Sequence, residues 1–404
     1  MGQRVAVVGA GYAGMAAAVT LASRGVPVTV FESGPVPGGR ARRVKTEGHD
    51  LDNGQHILVG AYVELFRLMQ LVGVPSDALL RLPLEIRYAK DFRFRALSLP
   101  SSFGLLFGLI FAKGVPLTER IGAARFMSAM RRSAFRLARD IPVIELLDRF
   151  RQNGRIGHFL WRPLCVSALN TPPEQASANR FLAALRDTLG GAPGASDLLL
   201  PRVDLSRLFP EPAMEYVTRN GGEVRLRTPI ENQHSLKNEF SSVILAVGPH
   251  QLKALMPEAT IDYSYQPIYT CYLQYAPEVR LPFPMIGLAD GLVQWVFDRG
   301  TLLGESGRLA CVISAQGDHQ QMEQDELAQR CQAELARAFG LAKAEWSRVI
   351  AEKRATITCS VGLRPVKTDF GKIHLAGDYT DPEYPPTLEA AVRSGARAAL
   401  KAAQ

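Results

Sequence analysis

Three glycines near the N-terminus have the spacing of a phosphate-binding turn. They follow an apolar run at residues 5–8 and precede a stretch of small residues. In such a turn the first glycine permits the tight bend, the second admits backbone close to a phosphate, and the third lets the next helix pack on the strand. We expect five residues to form a dinucleotide site here: Gly9, Ala10, Gly11, Ala13 and Gly14.

The residues that follow narrow the choice of dinucleotide. Glu32 ends the second predicted strand, about twenty residues on, where a carboxylate accepts hydrogen bonds from a ribose diol and disfavours a 2′-phosphate. Gly39 and Arg40 then form a second glycine turn, with a guanidinium suited to an extended pyrophosphate. We interpret Arg42 and Arg43 as a solvated basic loop. These features together predict FAD rather than NAD or NADP.

The segment at residues 52–56 carries the groups best suited to acid–base chemistry. His56 is the candidate donor to a leaving group, because the unperturbed pKa of histidine lies near neutrality. Asp52 could be catalytic by orienting His56, or it could cap a helix. A hydrogen-bonded structural histidine explains His56 equally well. The cysteines show no metal-ligand spacing, so no metal site is predicted.

Length and composition describe a globular chain of enzyme size. With 404 residues and 47% hydrophobic content, it can bury the cores of two domains. Five scattered cysteines lack a CxxC spacing, which argues against a disulfide framework and favours a reducing, cytoplasmic compartment. The apolar stretch at residues 5–22 contains the glycine turn, so we interpret it as a strand and helix rather than as an export signal.

A net charge of +8 requires a partner or a structural reason. Arginines recur on a predicted helix directly after an apolar run at residues 103–112, which is too short to span a bilayer. Helices near residues 101–139 could dock at the periphery of an anionic membrane, or form a buried helix beside a solvated basic one. Stacking aromatics do not alternate with the basic residues, so nucleic acid is not expected as a partner. The arginines are Arg120, Arg125, Arg131, Arg132, Arg136 and Arg139.

The order of predicted strands and helices indicates an α/β fold with a discontinuous nucleotide-binding domain. Buried strands near residues 221–226, 242–249 and 373–378 return the chain to the first strands. We assign residues 1–80, 205–250 and 350–404 to an FAD-binding domain, and residues 81–204 and 251–349 to a substrate domain. Other predicted elements are strands at 269–275, 291–297 and 309–314, a helix at 324–339 and a final helix from about Thr387.

These motifs resemble the flavin amine oxidase and phytoene desaturase superfamily over the whole chain. The resemblance rests on the glycine turn, on Glu32, Gly39 and Arg40, and on the final strand and helix at residues 376–395. Within that superfamily, three segments are similar to the hydroxysqualene dehydroxylases, which are squalene-associated FAD-dependent enzymes of bacterial hopanoid synthesis. The segments lie at residues 52–56, 161–173 and 194–201.

The resemblance implies a Rossmann-like FAD-binding domain of the GR2 type and an α+β substrate domain. It also implies the reductive dehydroxylation of hydroxysqualene, a long-chain isoprenoid, with water leaving and reduced flavin supplying hydride. By position, Gly54 and Gln55 would run their backbone past the flavin ring, and Leu388 would point its amide at the pyrimidine edge. Asp378 would bond the ribityl chain or the pyrophosphate, and Ile230, in the strand after residues 221–222, would hold the adenine.

Two alternatives stay open at this stage. A carotenoid desaturase of the phytoene type is similar at the cofactor motifs, although such enzymes typically lack the pattern at residues 53–56. A non-redox escort protein that binds isoprenoid-modified partners would have lost its flavin site. Pro386 and Thr387 stand where amine oxidases place an aromatic residue, so an amine cage is not expected. No second glycine fingerprint follows a strand, so the electron donor is predicted to be a separate, unidentified partner.

Overall fold

Five parallel strands form the first sheet of the protein, whose computed structural model describes residues 4–96, 108–189, 192–259 and 262–404. The strands are β1 (Val5–Val8), β2 (Val28–Phe31), β10 (Glu223–Arg225), β11 (Ser242–Leu245) and β17 (Ile373–Leu375). They pair in the order β10-β2-β1-β11-β17. Strands β1 and β2 are buried along their whole length, as is usual for parallel sheets with helices on both faces.

The order of the strands reverses beside β1, because the chain runs from β1 to β2 on one side and later adds β11 on the other. Loops that leave the carboxyl ends of neighbouring strands diverge at such a point and open a crevice. Gly9, Glu32, Gly248 and Gly377 each follow closely behind a strand of this sheet. The fold therefore brings four distant segments of the sequence to one edge.

Helices pack around both sheets of the protein. In chain order they are α1 (Tyr12–Ala22), α2 (Val63–Leu71), α3 (Leu117–Arg132), α4 (Val143–Arg149), α5 (Arg162–Leu169), α6 (Ala178–Leu189), α7 (Leu205–Leu208), α8 (Pro210–Arg219), α9 (Gln233–Glu239), α10 (Pro249–Leu255), α11 (Arg299–Leu303), α12 (Gln324–Phe339) and α13 (Leu388–Ala402). A π-helical turn, Gly157–Trp161, leads directly into α5.

Small residues let α1 lie against both the first sheet and α13. All 11 residues of α1 are buried. A Cβ atom at Gly14 would lie 1.8 Å from the carbonyl oxygen of Gly9, and a Cβ atom at Gly395 in α13 would lie 2.0 Å from that of Ala13. Both positions therefore require glycine, because backbone atoms occupy the space that a side chain would need.

The second sheet is antiparallel and separates two cores. Its strands are β12 (Tyr265–Gln274), β13 (Met285–Gly287), β14 (Trp295–Asp298), β15 (Arg308–Ser314) and β16 (Trp346–Ile357), in the order β13-β14-β15-β12-β16. Alternate side chains point to opposite faces. Tyr272, Trp295 and Phe297 belong to the larger core, whereas Cys271 and Val296 pack in a smaller core that includes the buried face of α12.

Short strands form three further small sheets. They are the hairpin β3 (Arg43–Thr46) and β4 (His49–Asp52), the sheet of β5 (Leu58–Val59), β9 (Leu198–Pro201) and β6 (Leu79–Leu82), and the hairpin β7 (Glu85–Arg87) and β8 (Arg93–Arg95). Because β4 ends at Asp52, the first hairpin directly precedes the polar segment at residues 53–56.

Several sequence predictions can be compared with these elements. The helix at residues 324–339 is confirmed by α12, and α13 begins at Leu388 with the side chain of Thr387 as its cap. Strand β14 begins at Trp295 rather than at residue 291, because the amides of Leu292 and Val293 donate to Glu334. The placement of Ile230 in a strand is wrong, because β10 ends at Arg225 and a loop follows.

The predicted domain division can be placed on the sheets. The five strands of the first sheet come from residues 1–80, 205–250 and 350–404. Strand β16 crosses the predicted boundary at residues 349–350, and it pairs with β12 along its length. Residues 350–357 therefore lie in the second sheet, and the division into two domains stays a prediction.

The basic segment differs from its prediction. Helix α3 ends at Arg132, so Arg136 and Arg139 lie beyond it. Residues 103–107 of the apolar run, and residues 101–107 of the predicted docking helices, lie outside the described residues. In the described part of the run, Leu109 is buried and Phe111 is 67% exposed. No helix in the described parts of the chain is long and apolar enough to cross a bilayer.

Candidate active site

A cavity of about 1020 Å³ lies between the carboxyl edge of the first sheet and the inner face of the second. Most of the residues singled out in the sequence contribute to its wall. They are Gly9, Gly11, Ala13, Glu32, Gly39, Arg40, Gly54, Gln55, His56, Ile230, Asp378 and Leu388. Ala10, Gly14 and Asp52 lie behind this wall, where they hold the lining segments in place.

The glycine turn presents backbone to one end of the cavity. Gly9 has a φ of +100°, and a Cβ atom there would lie 2.6 Å from the carbonyl oxygen of Ala246. Gly11 forms a backbone bridge with Gly38 of the second glycine turn. The N-cap residue of α1 is Gly11, which has no side chain to cap the helix, so the N-terminal end of α1 can receive an anion from the cavity.

Glu32 braces the same end of the cavity. Its Oε2 atom accepts a hydrogen bond from the amide of Ala10 at 2.7 Å, and Oε1 accepts one from the amide of Gly34 at 2.7 Å. The carboxylate thus joins the glycine turn to the loop after β2 while it lines the cavity. A carboxylate has more acceptor sites than these two bonds use, so it can also bind a diol.

Arg40 and Asp378 come from opposite ends of the chain and form an ion pair in the cavity wall. Their Nη2 and Oδ1 atoms are 2.7 Å apart, and Nη1 of Arg40 donates to the carbonyl oxygen of Ala355 at 2.6 Å. Burial lowers the pKa of Arg40, but Asp378, together with Glu352 and Tyr265, more than offsets this effect, so the pKa is raised and the guanidinium stays charged. The pair joins the second glycine turn to the segment after β17.

The solvated interpretation of Arg43 is wrong. Its guanidinium bonds to Asp204 at 3.0 Å and to Glu211 at 2.9 Å, and its side chain is only 18% exposed. Arg42 lines the cavity and donates to the carbonyl oxygen of Gly39. The acidic partners of Arg43 come from α8 and from the residue before α7, more than 160 positions away, so no local pattern revealed them.

Asp52 takes part in a buried polar network rather than in the cavity wall. Its Oδ1 atom accepts from the amide of Leu205, the first residue of α7, at 2.8 Å, and Oδ2 accepts from Arg299 at 2.9 Å. This geometry matches the helix-cap alternative. Among the described residues Asp52 makes no hydrogen bond to His56, so we propose a positioning role for it. Burial raises the pKa of Asp52, and Arg299 opposes that shift.

His56 lines the cavity next to Gln55. Burial is the main effect on this residue, and the charge of Arg40 adds to it, so the pKa of His56 falls to about 4. The pKa of His56 in the folded protein therefore lies below the unperturbed value for which the residue was chosen. Its buried Nδ1 atom has no hydrogen-bond partner within the described part of the chain. A neutral imidazole with an unused ring nitrogen can bind a ligand group in this cavity.

The other end of the cavity is apolar. Its wall is built from the inner face of the second sheet, from α5 and α6, and from the short strands between them. The side chains are Ile57, Val59, Leu84, Ile86, Leu164, Phe181, Leu185, Leu198, Ile268, Met285, Trp295, Phe297, Val312 and Ile350. Such a wall suits a long hydrocarbon and excludes water from it.

Sequence reasoning missed several polar residues that build the site. Arg299 and Tyr272 hold residues 52–55, and Arg180 donates to the carbonyl oxygens of Tyr384 and Pro382 at 2.9 Å just before α13. The contacts of Arg180 cross more than 200 positions. A single sequence carries no signal for such pairs, because neither periodicity nor motif spacing links them.

The polar end of the cavity fits FAD. It offers an uncapped helix N-terminus for the pyrophosphate, a carboxylate for a ribose, and an ion-paired arginine. The N-terminus of α13, at Leu388, opens on the same cavity. The unpartnered Nδ1 atom of His56 lies along the intervening loop. We propose that these residues bind the cofactor.

Comparison with known proteins identifies the cofactor and the family. The flavin containing amine oxidoreductase family matches residues 12–402. Hydroxysqualene dehydroxylases from Zymomonas mobilis subsp. mobilis and Rhodopseudomonas palustris are 27% and 29% identical to this chain, and each alignment covers 97% or more of both proteins. A probable zeta-carotene desaturase from Synechococcus elongatus is 23% identical over 98% of both.

Solved structures show the same fold. A triple mutant of putrescine oxidase superposes with a TM-score of 0.71 and 17% identity, over 99% of this chain and 98% of that one. The α/β fold with a Rossmann-like FAD-binding part is therefore confirmed, and so is FAD as the cofactor. The protein is an FAD-dependent oxidoreductase, and the chain belongs to the flavin containing amine oxidoreductase family.

Proposed function

We propose that the protein catalyses the FAD-dependent reductive dehydroxylation of hydroxysqualene to squalene, a step in the synthesis of hopanoid precursors. One observation carries the proposal: the glycine turn, residues 53–56 and a large apolar wall all line a single cavity. Related proteins named hydroxysqualene dehydroxylase align with the chain from end to end. The substrate class is therefore a long-chain isoprenoid.

The reaction breaks the carbon–oxygen bond of an allylic alcohol and forms a carbon–hydrogen bond in its place. The oxygen leaves as water after it takes up one proton, and bound FAD, when reduced, supplies the hydride. The apolar wall holds the hydrocarbon chains and keeps water away from the electron-deficient carbon. Without that exclusion, water would return to the carbon and restore the alcohol.

His56 is the residue that we propose as hydrogen-bond donor to the departing hydroxyl. With a pKa of about 4, its ring is neutral near pH 7 and carries a single N–H group. A neutral imidazole donates one hydrogen bond and accepts another, so the task that we propose for it is to orient the hydroxyl for departure. Gln55 lies beside it on the cavity wall and is held by Tyr272 at 2.9 Å.

The alternatives fit less well. A carotenoid desaturase would use the same cavity, but the desaturase relative is less similar than the dehydroxylases. An escort protein without a flavin site does not require Glu32, Arg40 and the uncapped α1 to converge on one cavity. The residues described contain one glycine fingerprint after a strand, so we propose a separate electron donor.

Product analysis distinguishes the enzyme alternatives. Purified protein that contains FAD is incubated anaerobically with hydroxysqualene and dithionite, and in parallel with phytoene and an electron acceptor. The proposal predicts squalene from the first mixture and no desaturated product from the second. Desaturated product without squalene would establish the carotenoid desaturase instead.

We also propose that the protein binds peripherally to the inner face of an anionic membrane through residues 110–121. Phe111 and Leu117 are 67% and 56% exposed, and Ile110 and Ile121 are also exposed. Cationic residues follow on the same segment, with Arg125 and Arg132 exposed. Apolar side chains among cationic ones are the pattern of an interfacial anchor, and the substrate is itself a lipid.

Vesicle flotation tests this surface. The wild type should float with vesicles of phosphatidylcholine and phosphatidylglycerol and should be released by salt. Phe111→Ser/Leu117→Ser should stay at the bottom of the gradient. Val361→Ser/Leu400→Ser, which changes apolar residues exposed elsewhere, is the matched control. Equal flotation of the two double variants would contradict the proposed anchor.

A further inference from the structure

We propose that Arg299 is a positioning residue that fixes the loop at residues 52–56 against the second sheet and thereby sets the surroundings of the flavin ring. The inference rests on the function proposed above, in which this loop borders the reacting centre. Arg299 is the first residue of α11, and its side chain is only 1% exposed. No motif in the sequence pointed to it.

The guanidinium of Arg299 uses all three of its nitrogens. Nη1 donates to Asp52 at 2.9 Å and approaches Oε1 of Gln55 at 3.4 Å. Nε and Nη2 form a bidentate pair with Glu305, at 2.9 and 2.6 Å. A planar guanidinium held on two sides by carboxylates has little freedom to rotate. Arg299 is therefore a rigid link between α11 and the loop.

Tyr272 on β12 closes the network from the second sheet. Its hydroxyl donates to the backbone oxygen of Asp52 at 2.7 Å and accepts from Nε2 of Gln55 at 2.9 Å. Both ends of the Gln55 amide are thus held, one by Tyr272 and the other by Arg299. The guanidinium also lies 5.3 Å from the centre of the Tyr272 ring. The loop is fixed by the second sheet, not by its own hairpin alone.

The network contains two carboxylates and two guanidinium groups, so its charges balance, and its outer ion pair is partly exposed. Asp52 and Glu305 flank Arg299, and Glu305 also pairs with Arg308 at 3.1 Å. Among the described residues, Asp204, Tyr272 and Tyr12 also interact with Asp52, and these three groups carry no positive charge. Loss of Arg299 would leave a buried carboxylate without its counter-charge, which favours the protonated form.

Variants of the network separate positioning from general stability. Arg299→Met removes the charge at similar length, Arg299→Lys keeps the charge, and Tyr272→Phe removes only the hydroxyl. Arg308→Met is the matched control, because it breaks the other ion pair of Glu305 without touching the loop. For each variant one measures FAD content, the flavin midpoint potential, and kcat and KM for hydroxysqualene from pH 5 to pH 8.

We expect the variant Arg299→Met to retain bound FAD. Its kcat should fall by about 100-fold, with a much smaller change in KM. Arg299→Lys should recover part of that loss. The midpoint potential of Arg299→Met should move and become more dependent on pH, and Asp52→Asn in the same protein should remove the added dependence. Tyr272→Phe should lower kcat by about tenfold, even if Arg299→Met does not fold.

Two outcomes would overturn the inference. One is that Arg299→Met and Tyr272→Phe resemble Arg308→Met in kcat and in midpoint potential. The other is that every loss of activity equals the loss of bound FAD. If the wild type forms no squalene, the proposed function fails, but the midpoint potentials still decide whether Arg299 sets the surroundings of the flavin ring.

Discussion

His56 shows how a residue's surroundings change the chemistry that its type suggests. Histidine is chosen in sequence analysis because its free pKa lies near neutrality, but burial and the nearby charge of Arg40 remove that property here. What remains is a neutral donor with one buried nitrogen that the described residues leave unused. The function that we propose for it is orientation of a hydroxyl rather than delivery of a proton from an imidazolium.

Replacement of His56 by alanine should reduce squalene formation. We expect kcat to fall by about 100-fold, the usual effect of losing a well-placed donor, while FAD stays bound. The kcat of the wild type should show no ionisation near pH 6.5, because His56 is already neutral there. The measurement is turnover with dithionite across pH 5 to 8. Unchanged turnover with full flavin content would show that His56 is structural.

The pKa of His56 also predicts how stability depends on pH. The unfolded chain takes up a proton at this histidine below pH 6.5, whereas the folded protein does so only near pH 4. The free energy of unfolding should therefore decrease as the pH falls from 6.5 to 4. Denaturant unfolding should show that the free energy of unfolding of His56→Gln depends less on pH in this window than that of the wild type. At the acid end of the window, the two pH-dependent changes should differ by at most about 3 kcal/mol.

His158 provides the control for that measurement, because its side chain is 45% exposed. The variant His158→Gln should follow the pH dependence of the wild type. If His56→Gln did the same, His56 would be titrating in the folded protein at an ordinary pKa.

Replacement of Glu32 tests whether the polar end of the cavity binds FAD. Glu32→Gln should weaken FAD binding by about tenfold, because a neutral amide is a poorer acceptor for a ribose diol and for the amides of Ala10 and Gly34. Titration of the flavin-free protein with FAD measures the change. Glu223→Gln is the control: it removes a half-exposed carboxylate at the edge of the same sheet. Equal affinities in both variants would contradict this role.

At the scale of elements, the crossing of α1 and α13 fixes the geometry of the FAD end. The two helices meet at Gly395, where a side chain would overlap the backbone of Ala13. Their N-termini both open on the cavity. A change in the distance between these helices would therefore move both groups of amides at once.

Gly395→Ala should destabilise the protein by about 3 kcal/mol, the upper part of the range for overpacked cores, and should weaken FAD retention. Gly122→Ala in α3 is the control, since its Cβ would lie 3.3 Å from a side-chain atom, Nε2 of Gln152, rather than against backbone. That substitution should leave stability unchanged or raise it by less than about 1 kcal/mol. Thermal unfolding with and without added FAD measures both. The helix crossing would be less tight than described if the two variants behaved alike.

Sequence patterns predicted the local elements well and the long-range contacts poorly. The glycine turn, α12 and the start of α13 follow from spacing, periodicity and capping residues that lie within a few positions of one another. The start of β14 was predicted too early, because the amide of Leu292 donates to Glu334, 42 positions away, instead of pairing in the sheet. Arg299 was missed for the same reason, since its contact with Asp52 spans 247 positions.

At the scale of the whole molecule, one cavity joins a polar end that fits FAD to an apolar end that fits a hydrocarbon. The parallel sheet supplies the polar end through loops that diverge beside β1. The antiparallel sheet supplies the apolar end through Trp295, Phe297 and their neighbours on one face. Residues 53–56 belong to the same wall, so the function that we propose brings His56 next to flavin and isoprenoid together.

A single-turnover experiment tests the central claim most directly. The protein is reduced with one equivalent of dithionite under anaerobic conditions and mixed with hydroxysqualene, while flavin absorbance is recorded and the lipid is extracted. We predict reoxidation of the flavin with one squalene formed per flavin. Flavin that stays reduced, with hydroxysqualene recovered intact, would contradict the proposed dehydroxylation.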